Sequence, residues 1–352
     1  MVPAERAWLT KLDAGPSAGV AFGEALAVLP LRSGELVALG IGDGALRWKR
    51  AAIVTASPAI DEERVYVAED GRLSAISTVT GDPLWTTSVE STISAPLTAL
   101  GGWLITVSPD HQLTARNGKT GEAVWTQPLP EEPTAAPVIA GTHVYVPLAS
   151  AHLLTFDIRS GALVWDRAFR GAAGPPLVVD ERVYVGSTDN FLYCLEATDG
   201  RELWRWRTGG DVLRPPVADA THLYFASLDN MIRAIDRHSG NLRWKAALPA
   251  RAVSGLLLVG DDLVVGALSP DVRIFSAISG RPVDRIAIPT ELLAGPPRLI
   301  NRAPADLNLI IVVGTDGQVI AFRQNRRLPL VPLNDLPGTP VTLNPPDSVT
   351  PS

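Results

Sequence analysis

The sequence predicts an all-β protein: an eight-bladed β-propeller with four antiparallel strands per blade, closed by an N-terminal strand that completes the last blade. Three observations predict it. A Gly-x-x-x-Trp pair recurs at nearly constant spacing, the residues between successive pairs divide into four short strand-like runs, and a lone tryptophan near the N-terminus falls in the same frame. Four strands in roughly 40 residues is the arithmetic of a propeller blade. A helical solenoid of similar period needs sustained 3.6-residue patterns, and these units have none.

The pairs are Gly44/Trp48, Gly81/Trp85, Gly121/Trp125, Gly161/Trp165, Gly200/Trp204 and Gly240/Trp244. Successive tryptophans lie 37, 40, 40, 39 and 40 residues apart. A seventh unit, "FSAISGRPVDR", keeps Gly280 but has Asp284 where tryptophan is expected. An eighth, "IIVVGTDGQVIAFRQ", has the earlier strands and then loses the motif. Its missing outer strand is found at the other end of the chain, because Trp8 lies 40 residues before Trp48. The N-terminal segment, about residues 5–13, is therefore expected to pair with strands near 309–323. That pairing covers the edge the last blade would otherwise leave open.

Each unit reads in the same order. A stretch ending in small residues or proline ("TASPAI", "AGPPLV", "LRPPVA") precedes an alternating run such as "RVYVAE", "HVYVPL" or "HLYFAS". A turn, often Asp-Gly or Asp-Asn, leads to a third strand such as "RLSAIS" or "FLYCLE". A hydroxyl- or carboxyl-bearing residue before the glycine (Thr80, Thr120, Ser160, Asp199, Ser239, Ser279) then turns the chain into the tryptophan strand. Glycine there permits a positive φ. The fourth strand is outermost, so its large ring is expected to lie across the junction with the neighbouring blade, burying about 150–250 Å². At ~25 cal/mol/Å² that is several kcal/mol per blade as an upper bound. Asp284 cannot make such a contact, and the seventh junction is expected to be the loosest.

Composition fits this reading. Glycine and proline number 30 each in 352 residues, above the roughly 12 % they make up together in average proteins. Net charge is −6 with no basic stripe, which argues against nucleic acid as a partner. The longest apolar stretch, "GLLLVGDDLVVGAL", is broken by Asp261 and Asp262 and falls short of the roughly 20 apolar residues of a membrane span. The start, "MVPAERAWLTKLDAG", lacks the layout of a signal peptide and a cysteine for lipid attachment, so the chain as written reads as soluble and without an export signal. One cysteine, Cys194, excludes an intrachain disulfide.

"AIDRHSGNLRW", Ala234 to Trp244, resembles the repeat of PQQ-type (quinoprotein-like) propellers, whose fingerprint is Ala-x-Asp-x-x-Thr-Gly-x-x-x-Trp. "TFDIRSGALVW" and "CLEATDGRELW" are close variants, and the similarity runs from Trp8 to about Phe322. Two branches of that family are implied. Quinoprotein alcohol dehydrogenases hold pyrroloquinoline quinone and calcium with adjacent cysteines, carboxylate and amide ligands and an aspartate base, on much longer chains. Here Cys194 is alone, at the position occupied elsewhere by Ala75, Ala115 and Ala234, and the blade linkers are short. The other branch, the BamB-like scaffolds, is non-enzymatic and serves outer-membrane protein assembly. That branch implies protein partners, no cofactor, a periplasmic or envelope location, with the cytoplasm as the alternative for a chain written without a leader, and a monomeric ring. Its long inter-blade docking segment has no counterpart here, where links such as "SVESTISAPL" are brief. A third reading is a sensor module of a signalling system.

No catalytic, cofactor-binding or metal residues are assigned. His111, His143, His152, His222 and His238 lie in different units, and no nucleophile elbow, phosphate loop or zinc motif is present. The linkers between blades and the second-to-third strand turns emerge on one face. That face gathers Asp189 and Asp229, with Asp70, Asp110, His111, Asp271 and Asp316, from the turns, and Asp211, Arg214 and Arg251 from the linkers. Turn geometry alone favours aspartate; nothing about a linker demands Arg214 or Arg251, and these mark the candidate partner-binding face. Beyond residue 324, "NRRLPLVPLNDLPGTPVTLNPPDSVTPS" (325–352) reads as a proline-rich extended or disordered tail, with polyproline-type docking as the alternative.

Overall fold

The computed structural model describes residues 4–61, 63–93, 95–249, 251–267, 271–287, 293–295, 297–300 and 308–324; the proline-rich segment lies outside these. Eight four-stranded antiparallel sheets make up the molecule. Blade 1, from inside outward, is Ala21–Phe22, Leu26–Pro30, Glu35–Gly40 and Leu46–Ala51. Blades 2 to 7 repeat that order, and each outer strand carries the tryptophan or, in blade 7, Asp284. Blade 8 takes Arg298–Ile300, Leu309–Val313 and Gln318–Gln324 from the C-terminal part, and Ala4–Lys11 from the N-terminus as its outermost strand. The two ends pair antiparallel from Ala4 opposite Gln324 to Lys11 opposite Gln318.

The core is not one mass. It falls into eight clusters, each filling the space between two neighbouring sheets. Seven of them include one of the seven motif tryptophans. Each ring lies on the motif glycine of the next blade: Trp8 on Gly44, Trp48 on Gly81, Trp85 on Gly121, Trp125 on Gly161, Trp165 on Gly200, Trp204 on Gly240 and Trp244 on Gly280. Gly44 shows why no other residue serves. Its φ is +67°, and a Cβ would sit 2.4 Å from Trp8 Cε3. Six of the indole N–H groups also donate across the junction to the carbonyl three residues before that glycine, as Trp48 does to Thr78 O at 2.9 Å and Trp165 to Ala197 O at 2.9 Å. The residue before each glycine braces the turn: the backbone N–H two residues on donates to Thr80, Thr120, Ser160, Asp199, Ser239 and Ser279.

The expected burial of the rings needs a correction. Only Trp48 and Trp165 are buried, at 8 % and 7 % exposure. Trp8, Trp85, Trp125, Trp204 and Trp244 are half-buried. Trp125 makes every contact of the junction: it lies on Gly161, stacks on Phe156 with centroids 6.3 Å apart and donates to Ile158 O at 2.7 Å. Part of its surface nevertheless stays in water, because no fifth strand covers the outer strand Ala123–Pro128. For these five rings the stabilisation falls below the full-burial figure, in proportion to the area left exposed.

Two devices that aim the ring lie below the level of the motif. In every blade the outer strand carries a β-bulge at the residue before the tryptophan position, Arg47 in blade 1 and Ala7 in blade 8 among them. The extra residue turns the tryptophan out of the ordinary pleat. The residue directly opposite is small wherever the ring is present: Ala38, Ala75, Ala115, Thr155, Cys194, Ala234 and Ala321. Opposite Asp284 it is Ile274.

The seventh junction, where Asp284 replaces the ring, is filled in another way. Blade 8 has no turn between its third and fourth strands, because the third ends at Gln324 and the fourth begins at Ala4. A tryptophan at 284 would find no glycine turn to lie on. Ile274, Ile286, Ile310, Ile320 and Phe322 fill the space instead. Ring and turn are lost together, at the one place where the covalent chain is open.

Candidate functional site

Strand direction gives the ring two unlike faces. One, the linker face, carries the inter-blade linkers and the second-to-third strand turns; the other, the turn face, carries the remaining two turns of blades 1 to 7. On the linker face each linker is tied to a neighbouring turn: Leu228 N–H donates to Asp211 O at 2.9 Å, and Ala172 N–H to Thr188 Oγ1 at 2.8 Å.

The aspartates of the turns are largely absorbed by this framework. Asp189 accepts from Tyr193 Oη at 2.6 Å and from the backbone of Phe191 and Arg170. Asp229 holds the buried Arg233 guanidinium with both oxygens, at 3.1 and 2.5 Å, and also accepts from Ser227 Oγ and Gly209 N–H. Burial pushes the Asp229 carboxyl up, but Arg233 and Ser227 outweigh it and hold the group down at about 2. Asp70 accepts from Thr92 Oγ1, and Asp316 pairs with Lys11 at 3.0 Å and holds Gln318. Asp271 lies at the start of the strand Asp271–Ser276.

Asp211, Arg214 and Arg251 stand apart from that pattern. The fold brings all three to one cavity of about 220 Å³, between the linkers that flank blade 6. Leu213, 41 % exposed, Ser227 and Ala252 complete its wall. Among the described residues none of the three charged side chains is in an ion pair. Two cations, one carboxylate and an exposed leucine in a concave site suit a protein surface of mixed character.

Sequence reasoning missed a neighbouring feature. At the linker-face end of blade 5, Phe169 and Phe191 flank Tyr193 with ring centroids 4.8 and 5.8 Å away, and the Arg205 guanidinium sits 5.2 Å over Phe191. Aromatic and arginine anchors dominate protein interfaces. The signal was present in "FLY" (191–193), two aromatics where other third strands have at most one. A second omission lies in the core: Tyr66, Tyr145, Tyr184 and Tyr224 are buried with centroids 5.9 to 6.2 Å from the tryptophan of their own blade. Tyr66 and Trp85 both donate to Gly118 O in the next blade.

The residues present do not fit a quinone with calcium. Cys194 is wholly buried opposite Trp204, and burial pushes its thiol up to about 12. A cavity of about 550 Å³ among the inner strands of blades 1 to 4 is walled mainly by apolar side chains, Phe22, Ile60, Leu97 and Ile139 among them, with Arg298 at its edge. Among the described residues no group of three or more His, Cys, Asp or Glu is placed to hold a metal ion. No helix among them is long and apolar enough to cross a membrane.

Eight blades, the glycine–tryptophan junctions and the N-terminal closing strand define a PQQ-type propeller. A sequence profile described as outer membrane protein assembly factor BamB matches residues 4–92, 32–174 and 155–342, and the chain belongs to that family. BamB of Bordetella pertussis is 23 % identical over 341 residues, covering 88 % of this chain and 86 % of that protein. BamB of Burkholderia pseudomallei is 27 % identical over 222 residues, a match spanning 57 % of this chain and 58 % of the relative's length. The crystal structure of BamB from Moraxella catarrhalis superposes with a TM-score of 0.75 at 21 % identity, covering 92 % of this chain and 98 % of that one.

Proposed function

We propose that this chain is a non-catalytic docking scaffold for outer-membrane protein assembly, working as a single ring in the cell envelope and engaging protein partners through its linker face. The observation that carries the docking site is the convergence of Asp211, Arg214 and Arg251 on one cavity beside an exposed leucine. Family membership supplies the process, and the aromatic and arginine cluster of blade 5 extends the same face toward blade 4. A rigid ring suits this task because its contact residues stand on linkers pinned by the turns beside them, so little ordering cost falls due on binding.

Deletion in the source organism, followed by quantification of outer-membrane barrel proteins, tests the reading. Barrel content should fall, and the wild-type chain should restore it. The Arg214→Glu/Arg251→Glu variant should accumulate normally and fail to restore it. Unchanged barrel content after deletion would sink the assembly role; full rescue by the variant would sink the assignment of the site.

A further inference from the structure

A second, more apolar groove lies on the opposite side of the molecule. Between blades 1 and 2, on the turn face, a cavity of about 580 Å³ is lined by Phe22, Leu26, Ile60 and Val79, with Glu24, Asp61 and Arg47, the last paired with Asp43 at 2.8 Å, among its walls. Val79 is 80 % exposed. Asp61 is occupied by Tyr66 Oη at 2.5 Å and by the backbone of Arg64. Glu24 is exposed and has no ion-pair partner among the described residues. An apolar trough with an aromatic ring on its wall and an acidic group beside it is the kind of surface that receives a polyproline-type segment carrying basic residues.

The chain carries such a segment. After Gln324 and Asn325 come Arg326 and Arg327, then Leu328-Pro329-Leu330-Val331-Pro332-Leu333, a P-x-x-P run framed by leucines. The strand Gln318–Gln324 starts at a linker-face turn, so it ends on the turn face, in the blade that borders blade 1 through Trp8 and Gly44. At about 3.1 Å per residue, the nine residues from Gln324 to Leu333 reach about 28 Å. Packed sheets stand about 10 Å apart, which brings the junction of blades 1 and 2 within that span. We propose that residues 326–333 dock in the groove between blades 1 and 2, with the leucines and prolines against Phe22, Ile60 and Val79 and the arginines facing Glu24. Tethering raises the local concentration of the segment to the millimolar range, so modest intrinsic affinity suffices.

Disulfide trapping in the full chain tests this, with Cys194 buried and out of reach. Asn334→Cys is combined with Val79→Cys or, as the control, with Ile278→Cys. Ile278 is 73 % exposed on the equivalent turn of blade 7, on the other side of blade 8 and one blade nearer to it. Docking makes the Val79 pair close within one molecule at least tenfold faster than the Ile278 pair under dilute, mildly oxidising conditions. Glu24→Arg should slow that closure several-fold, and adding Arg326→Glu and Arg327→Glu should restore it. Circular dichroism of each variant checks that the ring is folded. Equal rates, faster closure to Ile278, or disulfides formed mainly between molecules would overturn the proposal.

Discussion

At the scale of single residues, Trp165 shows how much of the fold one side chain holds. Its ring is 7 % exposed, lies against Gly200 and spends its N–H on Ala197 O. Trp165→Ala opens a cavity between blades 4 and 5 and is expected to cost about 3–5 kcal/mol, read as a fall in the urea midpoint at unchanged slope. The half-buried Trp125 should cost less when truncated in the same way, since fewer of its atoms leave a void. Cys194 makes the complementary case. Wholly buried and with its thiol pushed up to about 12, it is expected to resist maleimide at pH 8 in the native ring and to react at once in denaturant. Its burial was legible because the repeat frame aligned it with Ala75, Ala115 and Ala234. The exception at Trp204 was not. Its N–H lacks a partner among the described residues, while the carbonyl it would reach by analogy, Arg237 O, accepts from Tyr184 and Arg182. Competition for one acceptor depends on the geometry of two neighbouring blades, which no local pattern encodes.

Among the elements, the hairpin between the first two strands of blade 5 stands out. Asp180 and Glu181 have φ of 48° and 59°, where the matching turn of blade 3 uses Gly101 and Gly102. Asp180 is retained by its ion pair with the buried Arg237. Glu181 has no such partner among the described residues, so Glu181→Gly is expected to raise stability by about 1 kcal/mol, measured by denaturant titration. The turn at Asp229 predicts a pH response. Its carboxyl sits at about 2 in the fold against an ordinary 3.8, so the stability it contributes is complete above about pH 4 and is lost as pH falls toward 2. Asp229→Asn should lower the midpoint at pH 7, by leaving Arg233 unmatched, and flatten the loss between pH 4 and 2. Strand positions and turn types were readable from alternation and from Asp-Gly, Asp-Asn and Thr-Gly pairs. The bulge before each tryptophan was not, because one extra residue in a strand alters register without altering composition.

For the molecule as a whole, tryptophan locks close seven of the eight junctions, the one between blades 7 and 8 is filled by isoleucines and Phe322, and the two ends of the chain pair within blade 8. Asp284→Trp is therefore expected to leave stability within about 0.5 kcal/mol of wild type, as for a surface substitution. It should become stabilising only in a circular permutant that joins Gln324 to Ala4 through a glycine turn and opens the chain elsewhere. Hydrogen exchange should likewise be earlier in 282–287 and 309–313 than in 163–168. Ring closure was visible in the sequence because Trp8 keeps the 40-residue interval; the linker-face cavity was visible only as two arginines, Arg214 and Arg251, that no linker geometry demands. Those residues came together because consecutive linkers are neighbours in space. The kinked outer strands carry one more consequence. Eight rims with exposed main-chain groups would ordinarily invite fibril-like stacking, but an extended segment from another molecule would lose alignment at the kink before each indole. Strand addition at these rims, by a second copy or by any extended chain, should therefore be weak.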